Sequence, residues 1–310
     1  MPTVDSLIIG EGPAGVTAAL YLARSGCSVL VAEQMTTGGQ ILQTSSLENY
    51  PGFPQGIKGY ELADLFAAHL QGLDHLERKS SAVTAVEGEA GHFTVTFQDK
   101  STVECKTVLV CSGAKHRLLG VDREKELTGH GVSYCALCDG NFFRGKPVAV
   151  VGGGNAALEE SLYLANIVDK IHLIHRRDTF RARKTYADRL AAMGDKVVFH
   201  LNSQVTKLLG EKDLAAVGIS NLQTGDYEEV PVEAVFIYVG FEPVTTFLPK
   251  ALERDAQGFV ITDTEMRTSV PGIFAAGDIR SKLCRQVITA AGDGATAAQA
   301  AFVFLEQLHG

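Results

Sequence analysis

The sequence lacks the residues that mark several common protein classes. It has only six cysteines in 310 residues, and Cys135 and Cys138 are the one close pair, with no zinc-type histidine pair after them. A structural zinc site usually takes four ligands from two close pairs, so we do not expect this chain to bind a metal. The net charge of −8 argues against nucleic acid or an anionic membrane as the main partner, because both attract a basic surface.

Long apolar runs and a targeting segment are also missing. No stretch approaches the ~18 apolar residues needed to cross a bilayer. The first residues, MPTVDSLIIGEGPAG, enter a strand-like run at once and leave no room for a charged and then apolar signal segment. Only nine prolines accompany 32 glycines, and 45% of the residues are hydrophobic, which is typical of a compact α/β protein. We therefore expect a cytoplasmic protein with two domains of ordinary size.

A glycine-rich pattern lies near the start of the chain. A strand pattern at residues 6–9 runs into Gly10-Glu11-Gly12-Pro13-Ala14-Gly15 and an alanine-rich helix, and the next strand ends at Glu33. The glycines allow a tight turn and the close approach of a pyrophosphate to the amino end of the helix, while Glu33 would accept hydrogen bonds from ribose hydroxyls. Glu11 replaces a small residue of this pattern, and we expect its side chain to point to solvent.

The same pattern recurs in the middle of the chain. A strand pattern at residues 147–151 is followed by a glycine-rich turn and by a helix with the same LYLA run as the first copy, which indicates an internal duplication. The second copy has HRRDTFR where the first has Glu33, and planar guanidinium groups suit a phosphate dianion that an acid would repel. The alternative is a solvated basic turn at a helix start. The second copy therefore suits NADPH and the first a dinucleotide with a free ribose. The residues assigned to NADPH are Gly152, Gly154, Asn155, Ala156, His175, Arg176, Arg177, Arg181, Val239 and Gly240.

The regions around the two copies indicate how the domains are arranged. Alternating polar and apolar residues at 83–110 and at 196–239 predict antiparallel strands in each domain. The strand pattern GIFAAGDI ends in Gly277-Asp278, at a carboxyl end where open α/β sheets bind ligands. The expected fold is α/β, with two Rossmann-like (three-layer ββα) dinucleotide-binding domains, the second inserted in the first. We place the outer domain at 1–113 and 245–310 and the inserted domain at 117–241, with short hinges near 114–116 and 242–244 that allow rigid-body rotation.

A series of motifs resembles the bacterial low-molecular-weight thioredoxin reductases, class II members of the pyridine nucleotide-disulfide oxidoreductases. In order, they are GxGPAG, GGQ at 38–40, ENYPGFP at 48–54, CxxCDG, GGGNxA, HRRxxxR and GIFAAGDI with the later RQVITAAGDGATAA, and they cover essentially the whole chain. The resemblance implies FAD in the outer domain and NADPH in the inserted domain, which carries the cysteine pair. It also implies a homodimer and thioredoxin as the protein substrate.

The resemblance assigns the cysteine chemistry as well. Reducing equivalents would pass from NADPH through FAD to a Cys135–Cys138 disulfide and on to thioredoxin, with Cys138 next to the flavin and Cys135 attacking the partner. Asp139 would be the proton donor and acceptor. The chemistry agrees, because a thiolate is the nucleophile in disulfide exchange and C-x-x-C sites can hold thiol pKa values well below ~8.5. The alternatives are a static disulfide, which a reducing cytosol disfavours, and a plain Asp-Gly turn at 139.

The flavin contacts also follow from the resemblance, with Asp278 holding the ribityl hydroxyls unless it only caps the following turn. The sequence departs from the family at Leu137, where threonine is common, at Asn141, where an aromatic residue is frequent, and at Val244-Thr245, where PNT is usual. These departures concern the polarity beside the cysteines, the partner-docking pocket and the second crossing between domains. The residues assigned to FAD are Gly10, Gly12, Pro13, Ala14, Gly15, Glu33, Gln34, Gly38, Gly39, Gln40, Asn49, Val83, Ser112, Gly113, Gly277, Asp278, Arg285, Gln286 and Val287.

Other functions fit parts of the sequence. Relatives that take electrons from ferredoxin or reduced flavin, or that pass them to oxygen, keep the cysteine pair but generally lack an intact second glycine turn with its arginines. Ferredoxin–NADP reductases of similar architecture lack the cysteine pair. A non-catalytic nucleotide-sensing protein would have inert cysteines, and purified protein without flavin absorbance would favour that function.

Overall fold

A computed structural model describes residues 3–44 and 47–309, without the side chains of Gln43 and His309. The chain forms two compact units. Unit 1 comprises Met1–Leu42, Tyr50–Lys115 and Glu242–Gly310, and unit 2 comprises Gln43–Asn49 and His116–Phe241. Most of unit 2 is therefore one insertion in the chain of unit 1. The short segment Gln43–Asn49 also groups with unit 2, which the sequence did not indicate.

The secondary-structure elements are numbered in chain order. The first nine are β1 (Thr3–Ile9), α1 (Pro13–Arg24), β2 (Val29–Glu33), α2 (Gly59–His69), β3 (Leu76–Ser80), β4 (Val83–Glu89), β5 (His92–Phe97), β6 (Thr102–Val110) and β7 (Ala114–His116). Next come β8 (Val132–Ser133), α3 (Ala136–Asp139), β9 (Pro147–Val151), α4 (Asn155–Leu164), β10 (Lys170–Ile174), α5 (Lys184–Ala191), β11 (Val197–His200), β12 (Ser203–Leu209), β13 (Ala216–Asn221), β14 (Tyr227–Pro231), β15 (Ala234–Ile237), β16 (Phe241–Pro243), β17 (Ile273–Ala275) and α6 (Val287–His309). β7 and β16 pair as a two-stranded sheet.

The main sheet of unit 1 is built around β1 and β6. Its strand order is β3-β2-β1-β6-β5-β4, and β17 also pairs with β6. The first four strands and β17 are parallel, whereas β5 and β4 are antiparallel. The early part of β6 pairs with β5 and its last part with β17. Because β1, β2, β6 and β17 run in the same direction, their carboxyl ends meet at one edge, where the first glycine-rich turn and Asp278 lie.

Two helices of unit 1 pack very closely against each other. α1 begins after Gly12 with Pro13 at its first position, where the missing backbone N–H of proline costs nothing. Alanines at 14, 18 and 19 are buried, and α1 packs along α6. Gly294 of α6 lies against the Ala14 backbone, and a Cβ at 294 would overlap the Ala14 carbonyl oxygen. The small residues of both helices therefore allow backbone-to-backbone packing.

Within the described residues, one helix, Val287–Leu308, is long and apolar enough to cross a membrane by length and composition. This stretch was not evident in the sequence because Asp293, glycines and threonines interrupt it. About a third of its most apolar window (33%) is buried, and the helix packs along α1. Its apolar character is therefore partly explained by packing within unit 1, and it is weak evidence for a membrane span.

Unit 2 repeats the architecture on a smaller scale. Its parallel sheet has the order β11-β10-β9-β15-β8, and the antiparallel strands β12-β13-β14 form a second sheet. The residues of β15 are all buried, as are the last four of β9, which is typical of a parallel sheet covered on both faces. α4 follows β9 as α1 follows β1. The duplicated pattern is confirmed, and so are antiparallel strands within 83–110 and, as β12–β14, within 196–239. In the second range β11 and β15 instead join the parallel sheet.

Candidate redox and nucleotide-binding sites

Cys135 and Cys138 form a disulfide at the start of α3, with their Cα atoms 5.3 Å apart. Cys135 is the N-cap residue of this short helix, and its Sγ accepts a hydrogen bond from the Cys138 backbone N–H at 3.2 Å. Cys138 is buried, whereas Cys135 is partly exposed, so Cys135 is the sulfur more accessible to a protein partner. Among residues 3–44 and 47–309, no cluster of three or more His, Cys, Asp or Glu side chains could hold a metal ion.

Asp139 lies at the end of α3 and is partly buried. Its Oδ2 accepts a hydrogen bond from the Ser133 hydroxyl at 2.6 Å, while Oδ1 is buried without a hydrogen-bond partner in the described part of the chain. Burial raises the pKa of this carboxyl, and the hydrogen bond from Ser133 opposes the rise only in part. Asp139 can therefore hold a proton at a higher pH than an exposed aspartate, which suits a group that accepts and returns protons.

The first glycine-rich turn joins β1 to α1. Gly10 has a φ of +100°, and a Cβ there would lie 2.5 Å from the Cys111 carbonyl oxygen. A Cβ at Gly15 would overlap the Gly10 carbonyl oxygen. Gly12 differs, because a Cβ there would meet nothing nearer than the Gly38 carbonyl oxygen at 3.9 Å. The fold itself does not require glycine at 12, so the missing side chain leaves room for a ligand at the amino end of α1.

Glu33 lies at the end of β2 beside this turn. Its Oε2 accepts a hydrogen bond from the Glu11 backbone N–H and its Oε1 from the Met35 backbone N–H, each at 2.9 Å. The two bonds fix the carboxylate, and each oxygen keeps a further lone pair for a hydroxyl donor. The free N–H groups at the start of α1 favour an anion. The turn therefore has the room and the donors and acceptors that a dinucleotide requires.

The expectation that Glu11 points to solvent is wrong. The residue is 1% exposed, and its carboxylate pairs with the Arg78 guanidinium at 2.7 Å and accepts a hydrogen bond from the Thr37 hydroxyl at 3.1 Å. Arg78 also donates to the Thr37 hydroxyl oxygen at 2.8 Å. A buried carboxylate is tolerated only with a cation and hydrogen bonds around it. Arg78 on β3 supplies that cation, so the carboxylate does not face the anion site as an uncompensated charge.

Asp278 follows β17 in a short turn, Gly277–Ile279, at the same edge of the sheet. Its Oδ1 is buried and has no hydrogen-bond partner among the residues described. Burial raises the pKa of its carboxyl, against the opposing charges of Lys282 and Arg285. Buried polar atoms nearly always have partners, so this acceptor fits a ligand hydroxyl.

A cluster of ion pairs around Asp293 fixes the turn that contains Asp278. The Gly277 backbone N–H donates to Asp293 Oδ2 at 3.1 Å. Asp293 of α6 also pairs with Arg280 at 3.0 Å and with Lys282 at 2.8 Å, and all three side chains are largely buried. No sequence motif pointed to Asp293, which lies inside an otherwise apolar helix.

The other residues assigned to FAD lie on loops and at the starts of helices or strands of unit 1, except Asn49, which lies in the segment grouped with unit 2. The Gln40 amide donates to the Ala114 carbonyl oxygen, and the Ser112 hydroxyl donates to the Val244 carbonyl oxygen at 2.9 Å. The Arg285 guanidinium lies 4.1 Å from the centroid of the Phe259 ring. These side chains are fixed by neighbours within their own unit. Pro13 and Ala14 start α1, Gln34 follows β2, Gly38 and Gly39 form a turn with positive φ, Val83 starts β4, Gly113 precedes β7, and Gln286 and Val287 precede or start α6.

The second glycine-rich turn joins β9 to α4. Like the first, it has glycines that the packing requires and one that leaves open space. Gly152 is required by the fold, since a Cβ there would lie 2.6 Å from the Tyr238 carbonyl oxygen. Gly154 has nothing within 4 Å of an added Cβ, so it leaves space at the amino end of α4. Asn155, the first residue of α4, accepts a hydrogen bond from the Arg183 backbone N–H at 2.9 Å through its Oδ1. Ala156 is exposed beside it.

The basic segment after β10 divides into one buried ring and three exposed guanidinium groups. The His175 ring is buried beneath Gly153, and its Nε2 is 3.1 Å from the Thr179 carbonyl oxygen. Burial lowers its pKa, with the neighbouring arginines acting in the same direction. His175 is therefore a neutral support for the turn, and the exposed groups available to a phosphate are those of Arg176, Arg177 and Arg181. Val239 and Gly240, after β15, are also exposed.

Comparison with known proteins agrees with this geometry. The family model described as pyridine nucleotide-disulphide oxidoreductase matches residues 4–294. The curated thioredoxin reductase of Treponema pallidum (strain Nichols) is 42% identical over 304 residues, which cover 98% of each chain. The crystal structure of thioredoxin reductase from Streptococcus pyogenes MGAS5005 is 46% identical, with a TM-score of 0.90 over 98% of this chain and 99% of that one. Thioredoxin reductase from Giardia duodenalis is 33% identical, with a TM-score of 0.89 over 99% and 100% of the two chains. The chain belongs to the thioredoxin reductase family of pyridine nucleotide-disulphide oxidoreductases.

Proposed function

We propose that this protein reduces the disulfide of a thioredoxin with electrons from NADPH, through FAD and the Cys135–Cys138 pair. The observation that carries the proposal is the disulfide itself. It lies in a one-turn helix, beside a partly buried carboxyl and in the same unit as the second nucleotide turn. A family member with this arrangement has every protein group that dithiol chemistry needs.

FAD is the flavin that fits unit 1, because the first glycine turn has room for a pyrophosphate and Glu33 offers acceptors to a ribose. Asp278 would hold ribityl hydroxyls through its buried Oδ1, and Asp293 fixes the turn that presents it. When bound, the flavin supplies two-electron transfer between a nicotinamide and a disulfide. The remaining residues assigned to FAD would line this site.

NADPH fits unit 2, because Gly154 leaves space for a pyrophosphate at the amino end of α4. Arg176, Arg177 and Arg181 would bind the 2′-phosphate, as guanidinium groups pair well with phosphate oxygens. The Arg181 backbone N–H donates to the Gly153 carbonyl oxygen at 2.8 Å, so the glycine turn holds the basic segment in place. This bond would couple recognition of the 2′-phosphate to that of the pyrophosphate.

The cysteine chemistry is a cycle of bond exchange. Two electrons and two protons convert the Cys135–Cys138 disulfide into two thiols. The thiolate of Cys135, the more exposed sulfur, attacks one sulfur of the partner disulfide and forms a mixed disulfide. Cys138 then attacks Cys135, the partner leaves as a dithiol, and the Cys135–Cys138 bond is restored. Asp139 would give and take back the protons, since burial raises its pKa.

An anaerobic titration of the purified holoprotein with NADPH tests this path. We expect bleaching of the flavin absorbance together with the appearance of two titratable thiols per chain. A Cys138→Ser variant should bleach without releasing that pair of thiols. Bleaching of the unaltered protein without new thiols would contradict the proposed electron path, and absence of flavin absorbance would favour a nucleotide-sensing protein.

We further propose that the protein is a homodimer in the cytoplasm. The support is the family to which it belongs and a negative net charge of −8 that disfavours anionic membranes and nucleic acids. Sedimentation equilibrium of the flavin-loaded protein should give twice the 33.1 kDa mass of the chain. A monomer at micromolar concentration would contradict it.

A further inference from the structure

The amino end of the cysteine turn is held by two side chains that the proposed chemistry does not use. The Ala136 backbone N–H donates to the Tyr238 hydroxyl oxygen at 2.7 Å. The Leu137 backbone N–H donates to the Glu160 carboxylate. Ala136 and Leu137 lie between the two cysteines. The next backbone N–H, that of Cys138, donates a hydrogen bond to Cys135 Sγ. All three N–H groups that open the turn are therefore engaged.

Glu160 and Tyr238 also lie close to each other, with the Tyr238 hydroxyl oxygen 3.5 Å from Glu160 Oε2. Glu160 belongs to α4, the helix that begins at the second glycine turn, and Tyr238 directly follows β15. Both side chains are partly buried. The Glu160 carboxyl therefore contacts the segment between the two cysteines through the Leu137 backbone N–H.

The environment of Glu160 favours a proton near neutral pH. Burial raises the pKa of its carboxyl to about 7, the neighbouring Glu159 acts in the same direction, and the Leu137 N–H opposes them. Burial raises the pKa of Tyr238, and the charges of Glu160 and Asp139 raise it further. The phenol therefore stays protonated. Glu160 likewise contributes to the raised pKa of Tyr163 on the same helix.

We propose that Glu160 is a positioning residue of the redox centre, which fixes the cysteine turn together with Tyr238 and controls how readily the reduced cysteines ionise. The proposal rests on the proposed redox role of the Cys135–Cys138 pair. Reduction by two electrons places negative charge on the sulfurs until two protons arrive. An ionised carboxylate behind the turn disfavours a thiolate there, whereas a protonated one does not.

The hydrogen bonds strengthen this effect. N–H groups at the start of a C-x-x-C turn can stabilise a thiolate and lower its pKa. Here Tyr238 and Glu160 accept two of those N–H groups, and one acceptor carries a charge that changes with pH. The reactivity of the dithiol should therefore depend on the protonation state of Glu160 and not only on that of the thiols.

Alkylation of the reduced protein tests the proposal without NADPH or thioredoxin. The holoprotein is reduced with dithiothreitol, desalted anaerobically and treated with iodoacetamide between about pH 5.5 and pH 9, and each cysteine is quantified by peptide mass spectrometry. In Glu160→Gln the amide oxygen can still accept the Leu137 N–H, but the charge is gone. We expect Cys135 to react about tenfold faster than in the unaltered protein near pH 8 and at the same rate near pH 5.5.

Glu159→Gln is the matched control, because Glu159 is an exposed carboxylate on the same helix. Its charge affects the cysteines only through its smaller contribution to the pKa of Glu160. This variant should leave the alkylation profile within about twofold at every pH. A Glu160→Gln profile that is unchanged, or shifted by the same factor at every pH, would overturn the proposal, because a purely structural bond has no reason to follow the ionisation of Glu160.

Tyr238→Phe provides a second route should Glu160→Gln fail to fold. Loss of the hydroxyl releases the Ala136 N–H toward the sulfur and removes a donor from Glu160, so alkylation near neutral pH should rise about threefold. An unchanged or slower reaction would overturn the proposal. A protein that shows these shifts but releases no thiols with NADPH would instead contradict the proposed function.

Discussion

The two glycine-rich turns have the same backbone plan but opposite arrangements of charge. In unit 1 the carboxylate of Glu11 is buried within the turn region and neutralised by Arg78, and the Glu33 carboxylate is fixed by backbone N–H groups. In unit 2 a neutral His175 is buried, and the arginines of the same segment are exposed. Each turn therefore keeps its interior close to neutral, and the two differ in the charge that they present to a nucleotide.

The comparison separates glycines that the fold needs from glycines that a ligand needs. In each turn two glycines back onto a carbonyl oxygen or a ring, whereas a third, Gly12 or Gly154, has no neighbour closer than 3.9 Å to an added Cβ. The first kind belongs to the strand–turn–helix geometry, and we assign the second to a ligand. Four experiments test this comparison between the two turns.

The largest effect is expected from alanine at the glycines that the fold needs. Gly15→Ala and Gly153→Ala place a methyl group on the Gly10 carbonyl oxygen and on the His175 ring, so each should destabilise its unit by about 3 kcal/mol or more. Gly12→Ala and Gly154→Ala, with extended backbone angles that alanine adopts readily, should cost less than about 1 kcal/mol. Urea denaturation followed by circular dichroism measures these differences.

Ligand affinity provides the other half of that test. Gly12→Ala should weaken retention of FAD, and Gly154→Ala should weaken binding of NADPH, although both variants remain folded. Flavin release on dilution and calorimetric titration with NADPH are the readouts. Full affinity in both variants would show that these open positions do not face a nucleotide.

The next largest effect concerns the exposed cations of unit 2. Replacing Arg176 and Arg181 together by alanine should raise the KM for NADPH about 100-fold or more, because each charge-assisted bond contributes roughly 1.5–3 kcal/mol. The KM for NADH should change little. Arg189→Ala, an exposed arginine in the last turn of α5, is the control. An equal increase for both nucleotides would reject a role at the 2′-phosphate.

A smaller effect is expected from the buried ion pair of unit 1. Arg78→Ala leaves the Glu11 carboxylate without its cation, and because Arg78 is half exposed, water replaces part of the loss. We expect about 2 kcal/mol of destabilisation in urea, from a range of about 3–5 kcal/mol for fully buried pairs. Adding Glu11→Ser to Arg78→Ala should recover most of the lost free energy of unfolding. A double variant as unstable as Arg78→Ala alone would mean that the pair does not act as a unit.

The smallest effect is the pH dependence that comes from His175. Burial holds its pKa below the ordinary value of 6.5, so its contribution to stability is present above pH 6.5 and is lost as the pH falls through the folded-state pKa. His175→Gln should therefore lose less stability than the unaltered protein between pH 7.5 and pH 5. The difference between the two urea midpoints at each pH isolates the contribution of His175 from that of the other titrating groups. Parallel curves would place the ring in contact with solvent.

The fold could be predicted, and the residues proposed to face ligands could be selected, because their signals are local in the sequence. The glycine turns, the terminal acid of β2 and the C-x-x-C-D segment each bring their functional groups together within a few residues. The spacing of glycines follows from one turn of backbone, and the alternation at 83–110 follows from the pleat of a strand. Such patterns can be recognised in the sequence without knowledge of any tertiary contact.

The supporting contacts could not be predicted, because they join residues from different elements. Glu11 meets Arg78 across the sheet, and Tyr238 reaches the cysteine turn from the end of another strand. An acidic residue inside a glycine pattern looked solvent-exposed because nothing nearby in the sequence supplies its cation. Asp139 was found by its motif, but its partner Ser133 could be identified only once β8 was placed beside α3.

The close approach of Gly294 to Ala14 has a consequence for protein engineering. A methyl group at 294 has no free space, so the start of α1 would have to move, and the first glycine turn would move with it. A substitution near the carboxyl end of the chain should therefore appear as premature loss of yellow colour on purification. Randomisation of the last helix must therefore leave position 294 untouched.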